Sequence, residues 1–80
     1  MDDADVVGRI SELADEEHRL ERSHTGTGLS EEELSRLRAV EVALDQCWDL
    51  LRQRRARRAS GQDPDDAQVR PEAIVENYLQ

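Results

Sequence analysis

LSEEELSRLRAVEVALDQCWDLLRQRRARRASG, residues 29–61, decides the fold. Ser30 and Glu33 form a Ser-x-x-Glu capping box, and Leu29 and Leu34 occupy the two positions of a hydrophobic staple, so a helix start is signalled at Ser30. Leu34, Leu37, Val40, Leu44, Cys47, Trp48 and Leu51 then recur at spacings of three and four, which gathers them on one side of a 3.6-residue helix. Gly61 supplies a left-handed stop, and Arg57 and Arg58 place positive charge at the carbonyl end. A helix over about 31–60 would be roughly 45 Å long at about 1.5 Å per residue. Its apolar side requires a partner.

Upstream, the acidic start offers Asp2, Asp3 or Asp5 as caps for a first helix over about 3–24. Val6, Ile10, Leu13 and Leu20 carry the same rhythm, which also passes through Glu17 and His24. Gly8 is compatible with either close helix approach or a surface position. Thr25-Gly26-Thr27-Gly28 breaks the pattern and, with Leu29, forms a loop over 25–29 of a length suited to antiparallel helices. Folding back about it brings together positions whose numbers sum to about 54 or 55. Leu20 then meets Leu34 or Leu37, Leu13 lies near Val40, Ile10 near Leu44, and Val6 near Cys47 and Trp48. The same register sets Asp2, Asp3 and Asp5 beside Arg52, Arg54 and Arg55.

Downstream, a turn region over 61–70 contains Asp63-Pro64, a cap followed by a first helical position, with room for one short turn. Pro71 disfavours helix at Arg70 and opens a last helix over about 71–79, whose apolar edge is Ile74, Val75, Tyr78 and Leu79. Too short to stand alone, that helix is expected to dock near Trp48 and Leu51, either in the same chain or in a partner. The whole chain, 1–80, reads as a single helical domain: all-α, an antiparallel two-helix hairpin with a short C-terminal helix, forming a helical bundle by dimerisation.

Composition supports association. Eighty residues with no Phe, one Trp and one Tyr build a thin core, and a second copy is the expected way to cover the remainder. The formal charge of −8, from 19 acids against 11 Arg, opposes general attraction to nucleic acid or anionic membrane. The local reversal of sign is Arg52, Arg54, Arg55, Arg57 and Arg58. A lone Cys allows no internal disulfide, and neither a signal peptide nor a membrane span is evident, so a reducing cytoplasm is the expected location.

Groups capable of chemistry are present without a complete pattern. Of Asp15, Glu16, Glu17 and His18, the pair Asp15 and His18 stand three apart, as do His18 and Glu21, and such pairs can share a helix face. A helix-bundle carboxylate metal site asks for Glu-x-x-His on two helices, and the second helix offers Glu41, Asp45 and Asp49 but no His. A solvated acidic face is the simpler reading, with no metal or cofactor. Glu17 and His24 read as seam-edge residues that set register or partner orientation. Cys47 is read as a small buried hydrophobe, and Asp45 and Asp49 would oppose a thiolate there. Neither His stands in relation to a nucleophile, so an enzyme is not expected.

The run Leu44 to Arg58, together with Asp15-Glu16-Glu17-His18, Gly61, Asp63-Pro64 and Gln68-Val69-Arg70-Pro71, resembles a small actinobacterial family of unknown function over nearly the whole chain. The resemblance implies a cytoplasmic bacterial protein and brings no catalytic residue, cofactor or partner.

The expected role is a structural or protein–protein interaction module, a homodimer in coiled-coil style, acting through Trp48, Leu51, Arg52, Arg54, Arg55, Arg58, Ile74 and Tyr78. The alternative is a nucleic-acid-associated protein using the Arg52–Arg58 run. Without interleaved aromatics or a helix-turn-helix, and with acids close by to compete, the run reads first as a salt-bridging element.

Overall fold

The computed structural model describes residues 2–22 and 28–79, with the side chains of the last helix given to Glu76. Three α-helices follow in order, α1 (Asp3–Arg22), α2 (Glu31–Ala59) and α3 (Glu72–Leu79), with one 3-10 turn at Pro64–Asp66. The fold is all-α, a long hairpin-like pair of helices accompanied by a short C-terminal one. His24 and the Thr25-Gly26-Thr27 bend lie outside the described residues.

Local chemistry sets the helix ends. The Asp5 amide donates to Asp2 Oδ1 at 2.8 Å and the Asp2 amide to Asp5 Oδ2 at 3.1 Å, a reciprocal cap built from two carboxylates. At α2 the Glu33 amide donates to Ser30 Oγ and the Ser30 amide to Glu33 Oε1, both at 3.1 Å, so the box legible in the sequence is formed. Gly61 takes φ +77°. Its amide donates to the Arg58 carbonyl at 3.2 Å and that of Gln62 to the Arg57 carbonyl at 2.7 Å, the paired bonds of a Schellman stop. Asp63 Oδ1 accepts from the Asp65 amide at 2.9 Å and holds the single turn that Pro64 begins. Gly8 has open space where a Cβ would stand, so it is a surface glycine and not a point of close helix approach.

Val6, Ile10 and Leu13 of α1 are buried with Val40, Leu50 and Leu51 of α2 and Val75 of α3. Each such side chain contributes about 1.5–3 kcal/mol by leaving water. The apolar stripe of α2 nevertheless differs from the expected one. Trp48 is 47 % exposed and Leu34 also faces outward, whereas Leu50 lies inside. The cause is that α2 is covered on two opposite sides. Val40, Cys47, Leu51, Arg54 and Arg58 turn toward α1, and residues 64–79 run back along the other side past Gln53, Asp49, Gln46 and Val42. Trp48 falls on a flank between these two coverings.

Polar anchors hold the returning segment. Asp49 has no exposed surface. Arg70 grips its carboxylate with Nε on Oδ2 at 2.8 Å and Nη2 on Oδ1, and Gln53 Nε2 donates to Oδ2 at 2.9 Å. Gln53 also donates to the Gln68 carbonyl at 2.9 Å, and Gln46 to that of Arg70 at 3.2 Å. These bonds fix where the chain re-enters, and α3 consequently docks along Val42 and Asp45, not against Trp48 and Leu51 as expected.

Arg54, 5 % exposed, joins three parts of the fold. Its Nε donates to Asp3 Oδ1 at 2.6 Å, and its Nη1 to Asp65 Oδ1 at 2.9 Å and to the Pro64 carbonyl at 3.2 Å. Arg58 adds a 2.6 Å pair with Asp3 Oδ2. The acidic amino terminus therefore meets the basic run, but through Asp3 with Arg54 and Arg58. Arg52 instead approaches Asp49 at 3.8 Å, while Asp2 and Asp5 cap α1. Helical side chains lean toward the start of their own helix, so Arg58 reaches back a turn to share Asp3. Nearer the bend, Arg36 Nη2 meets Glu16 Oε1 at 2.7 Å and ties the two long helices again.

Replacing Asp49 by Asn keeps the shape and removes the charge that Arg70 grips. Urea denaturation followed by circular dichroism is expected to show a loss of about 1.5–3 kcal/mol, with amide exchange rising first in residues 67–76; an unchanged midpoint would refute this account of the anchor.

Candidate interaction surface

Among the described residues, features of the surface with relief or apolar character include a flank and two clefts. The first is the flank of α2 that bears Trp48. Leu37 and Leu44 are half-buried on the same side and Leu34 is exposed, and the stripe continues through Arg55. Val7 of α1 is 52 % exposed. It lies about 200° around α1 from Arg9, which lines a crevice on the opposite flank, so Val7 belongs to the Trp48 side.

The second feature is that crevice, of about 240 Å³, between α1, α2 and the returning chain. Val6, Ala43, Cys47, Leu50 and Val69 make it almost wholly apolar, with Arg9 and Gln46 at its edge. Burial pushes the Cys47 thiol above its ordinary pKa, and Arg9 opposes this only in part. A thiol so placed stays protonated and behaves as packing, not as a nucleophile.

The third is a cleft of about 350 Å³ between α2 and α3, lined by Arg38, Glu41, Val42, Asp45, Glu72 and Glu76. Its acids are crowded. A hydrogen bond with Asp45 raises the Glu76 pKa, helped by burial and by repulsion from Asp45 and Glu72. Glu17, half-buried on the neighbouring seam, is raised by burial and then by Glu21, Glu41 and Asp45. Among the described residues no group of three His, Cys, Asp or Glu side chains is placed to hold a metal ion. His18 is exposed on α1.

The residues singled out from the sequence are thus dispersed. Trp48 and Ile74 are about half exposed, Arg52 and Arg55 are exposed, and Arg58 is exposed but paired with Asp3. Leu51 and Arg54 are buried within the chain, and the side chain of Tyr78 lies outside the described residues. The Asp49–Arg70–Gln53 anchor carries no apolar signal in the sequence. Val42, Gln46, Asp49 and Gln53 do recur at spacings of four, three and four, a second stripe that polar identity disguised.

This helical chain matches, over residues 2–80, the family described as "Protein of unknown function (DUF2630)". The chain belongs to that family. Uncharacterized proteins of Mycobacterium bovis (strain ATCC BAA-935 / AF2122/97) and of Mycobacterium tuberculosis (strains CDC 1551 / Oshkosh and ATCC 25618 / H37Rv) are its relatives. Each is 49 % identical over 77 residues, covering 95 % of this chain and 88 % of the relative. No solved structure matches it. The DUF2630 chain has, among its described residues, no helix long and apolar enough to cross a membrane.

The two sets of acids give stability a maximum in pH. Glu17 and Glu76 have raised folded pKa values, so their ionised forms oppose folding and that opposition fades as pH falls from neutrality through those values. Asp3 is held at about 2 by Arg58 and Arg54, and Glu16 and Asp49 are held below their ordinary values by Arg36 and Arg70. Their contributions are complete above the ordinary carboxylate values and are lost as pH falls toward about 2. Thermal melts at one dilute concentration should therefore rise on mild acidification from pH 7 and then fall steeply below about pH 4; a monotonic decline from pH 7 would contradict this.

Proposed function

We propose that this protein is a structural or protein–protein interaction module without catalytic activity, which works in the cytoplasm and completes a helical bundle by pairing with a second copy. The observation that carries the reading is Trp48, the largest side chain of the protein, 47 % exposed on α2 one turn from half-buried Leu44, on the flank that also bears Leu37 and Leu34. Aromatic side chains flanked by aliphatic ones are the usual anchors of protein interfaces. The core within one copy supports it as well, since only seven apolar side chains are buried among the described residues.

The alternative through nucleic acid has less behind it. Arg54 is buried among Asp3, Asp65 and the Pro64 carbonyl, and Arg58 shares Asp3. The basic run therefore offers few converging guanidiniums for phosphate.

Sedimentation equilibrium from micromolar to millimolar concentration is expected to show wild-type protein moving from one mass to twice that mass, with Trp48 emission shifting to the blue. Trp48→Arg should stay at the lower mass with unchanged helicity. A wild-type protein of single-copy mass throughout, with Trp48 open to quencher at every concentration, would refute the proposal.

A further inference from the structure

Charge is distributed unevenly along the Trp48 flank. Glu41, Trp48 and Arg55 stand seven residues apart, so they lie one above another on a single stripe of α2. Toward the bend the stripe is acidic: Glu41 stands with Glu17, Glu21 and Asp45, and the Glu17 pKa is raised by burial and then by Glu21, Glu41 and Asp45. Toward the far end it is basic, through Arg55. Both Glu41 and Arg55 are exposed, and neither enters an ion pair among the described residues.

We propose that two copies pair along this stripe with their α2 helices antiparallel and Trp48 on the two-fold axis, so that Arg55 of each copy meets the partner's Glu41. The inference rests on the self-association proposed above and assigns its geometry. A two-fold antiparallel crossing centred on Trp48 matches positions equidistant from it, and Glu41 and Arg55 are both seven residues away. The contact is made twice because the interface is self-complementary. Leu44 falls opposite the partner's Arg52, whose aliphatic stem can cover it. A parallel pairing in register would instead set Glu41 on Glu41 and Arg55 on Arg55, placing like charges together at both ends of the apolar centre. The charge order along α2 thus selects one direction of pairing, and Arg55 is delivered to the part of the surface where carboxylates are most crowded.

The test uses Arg55→Glu and Glu41→Arg as full-length proteins, each checked for native helicity. Alone, either variant places like charges at both contacts, and its dimer dissociation constant is expected to rise by about tenfold. Mixed in equal amounts, the two restore an opposite-charge pair at each contact, and a heterodimer should form with affinity near that of the wild type. If the wild type dimerises while the single variants do so equally well, or while the mixture gains nothing, the antiparallel Arg55–Glu41 arrangement is overturned and self-association stands. A wild type that never dimerises overturns both.

Discussion

The rest of this fold depends on α2 being covered from two opposite sides at once. A single amphipathic stripe would leave one side of α2 to water, and the C-terminal third of the chain would have nowhere to return. Here α1 covers one side and residues 64–79 the other, with Asp49 buried on the second and Arg54 buried between the amino terminus and the 3-10 turn. Buried charges are tolerated when they are paired and hydrogen-bonded, and removal of one partner leaves the other stranded. Arg70 and Gln53 satisfy Asp49, and Asp3, Asp65 and the Pro64 carbonyl satisfy Arg54. Among the described residues no buried side-chain nitrogen or oxygen lacks a partner.

Spending both sides of α2 on the chain itself has a consequence for the surface. The flanks between the coverings remain, and the bulkiest residue of the protein stands on one of them. On the opposite flank an apolar crevice lies between α1, α2 and the returning chain, and the Cys47 sulfur on its wall is kept protonated by burial. The Trp48 flank carries an exposed aromatic side chain between exposed Glu41 on one side and exposed Arg55 on the other.

The net charge hides a strong internal order. Asp3 is drawn to Arg54 and Arg58, and Arg36 draws Glu16. What remains is an excess of carboxylate at the bend end of α2, where burial and then its acidic neighbours raise the Glu17 pKa, and a hydrogen bond with Asp45 followed by burial raises that of Glu76. Folding within one chain thus leaves electrostatic repulsion in place at one end of the flank. Repulsion of that kind is available to be relieved by a cation from elsewhere.

The caps and stops at Ser30, Gly61 and Asp63 were legible without coordinates because they depend on neighbours in sequence. Ser30 with Glu33, Gly61 after Arg57 and Arg58, and Asp63 before Pro64 each act over a few residues, and their bonds form as their spacing implies. The meeting of an acidic start with the Arg run was legible too, as a consequence of folding back. Asp3 with Arg54 lay within that expectation, but the share Arg58 takes in Asp3 did not, because side-chain lean moves contacts by about a turn. Nor did the burial of Asp49, whose partner Arg70 stands 21 positions away and whose stripe is mostly polar. Hydrophobic periodicity reports a helix with one covered side; a helix covered on two sides, one of them by hydrogen bonds, loses that signal. The outward turn of Trp48 follows from the same cause, since its exposure is decided by where the other segments lie and not by the residues beside it.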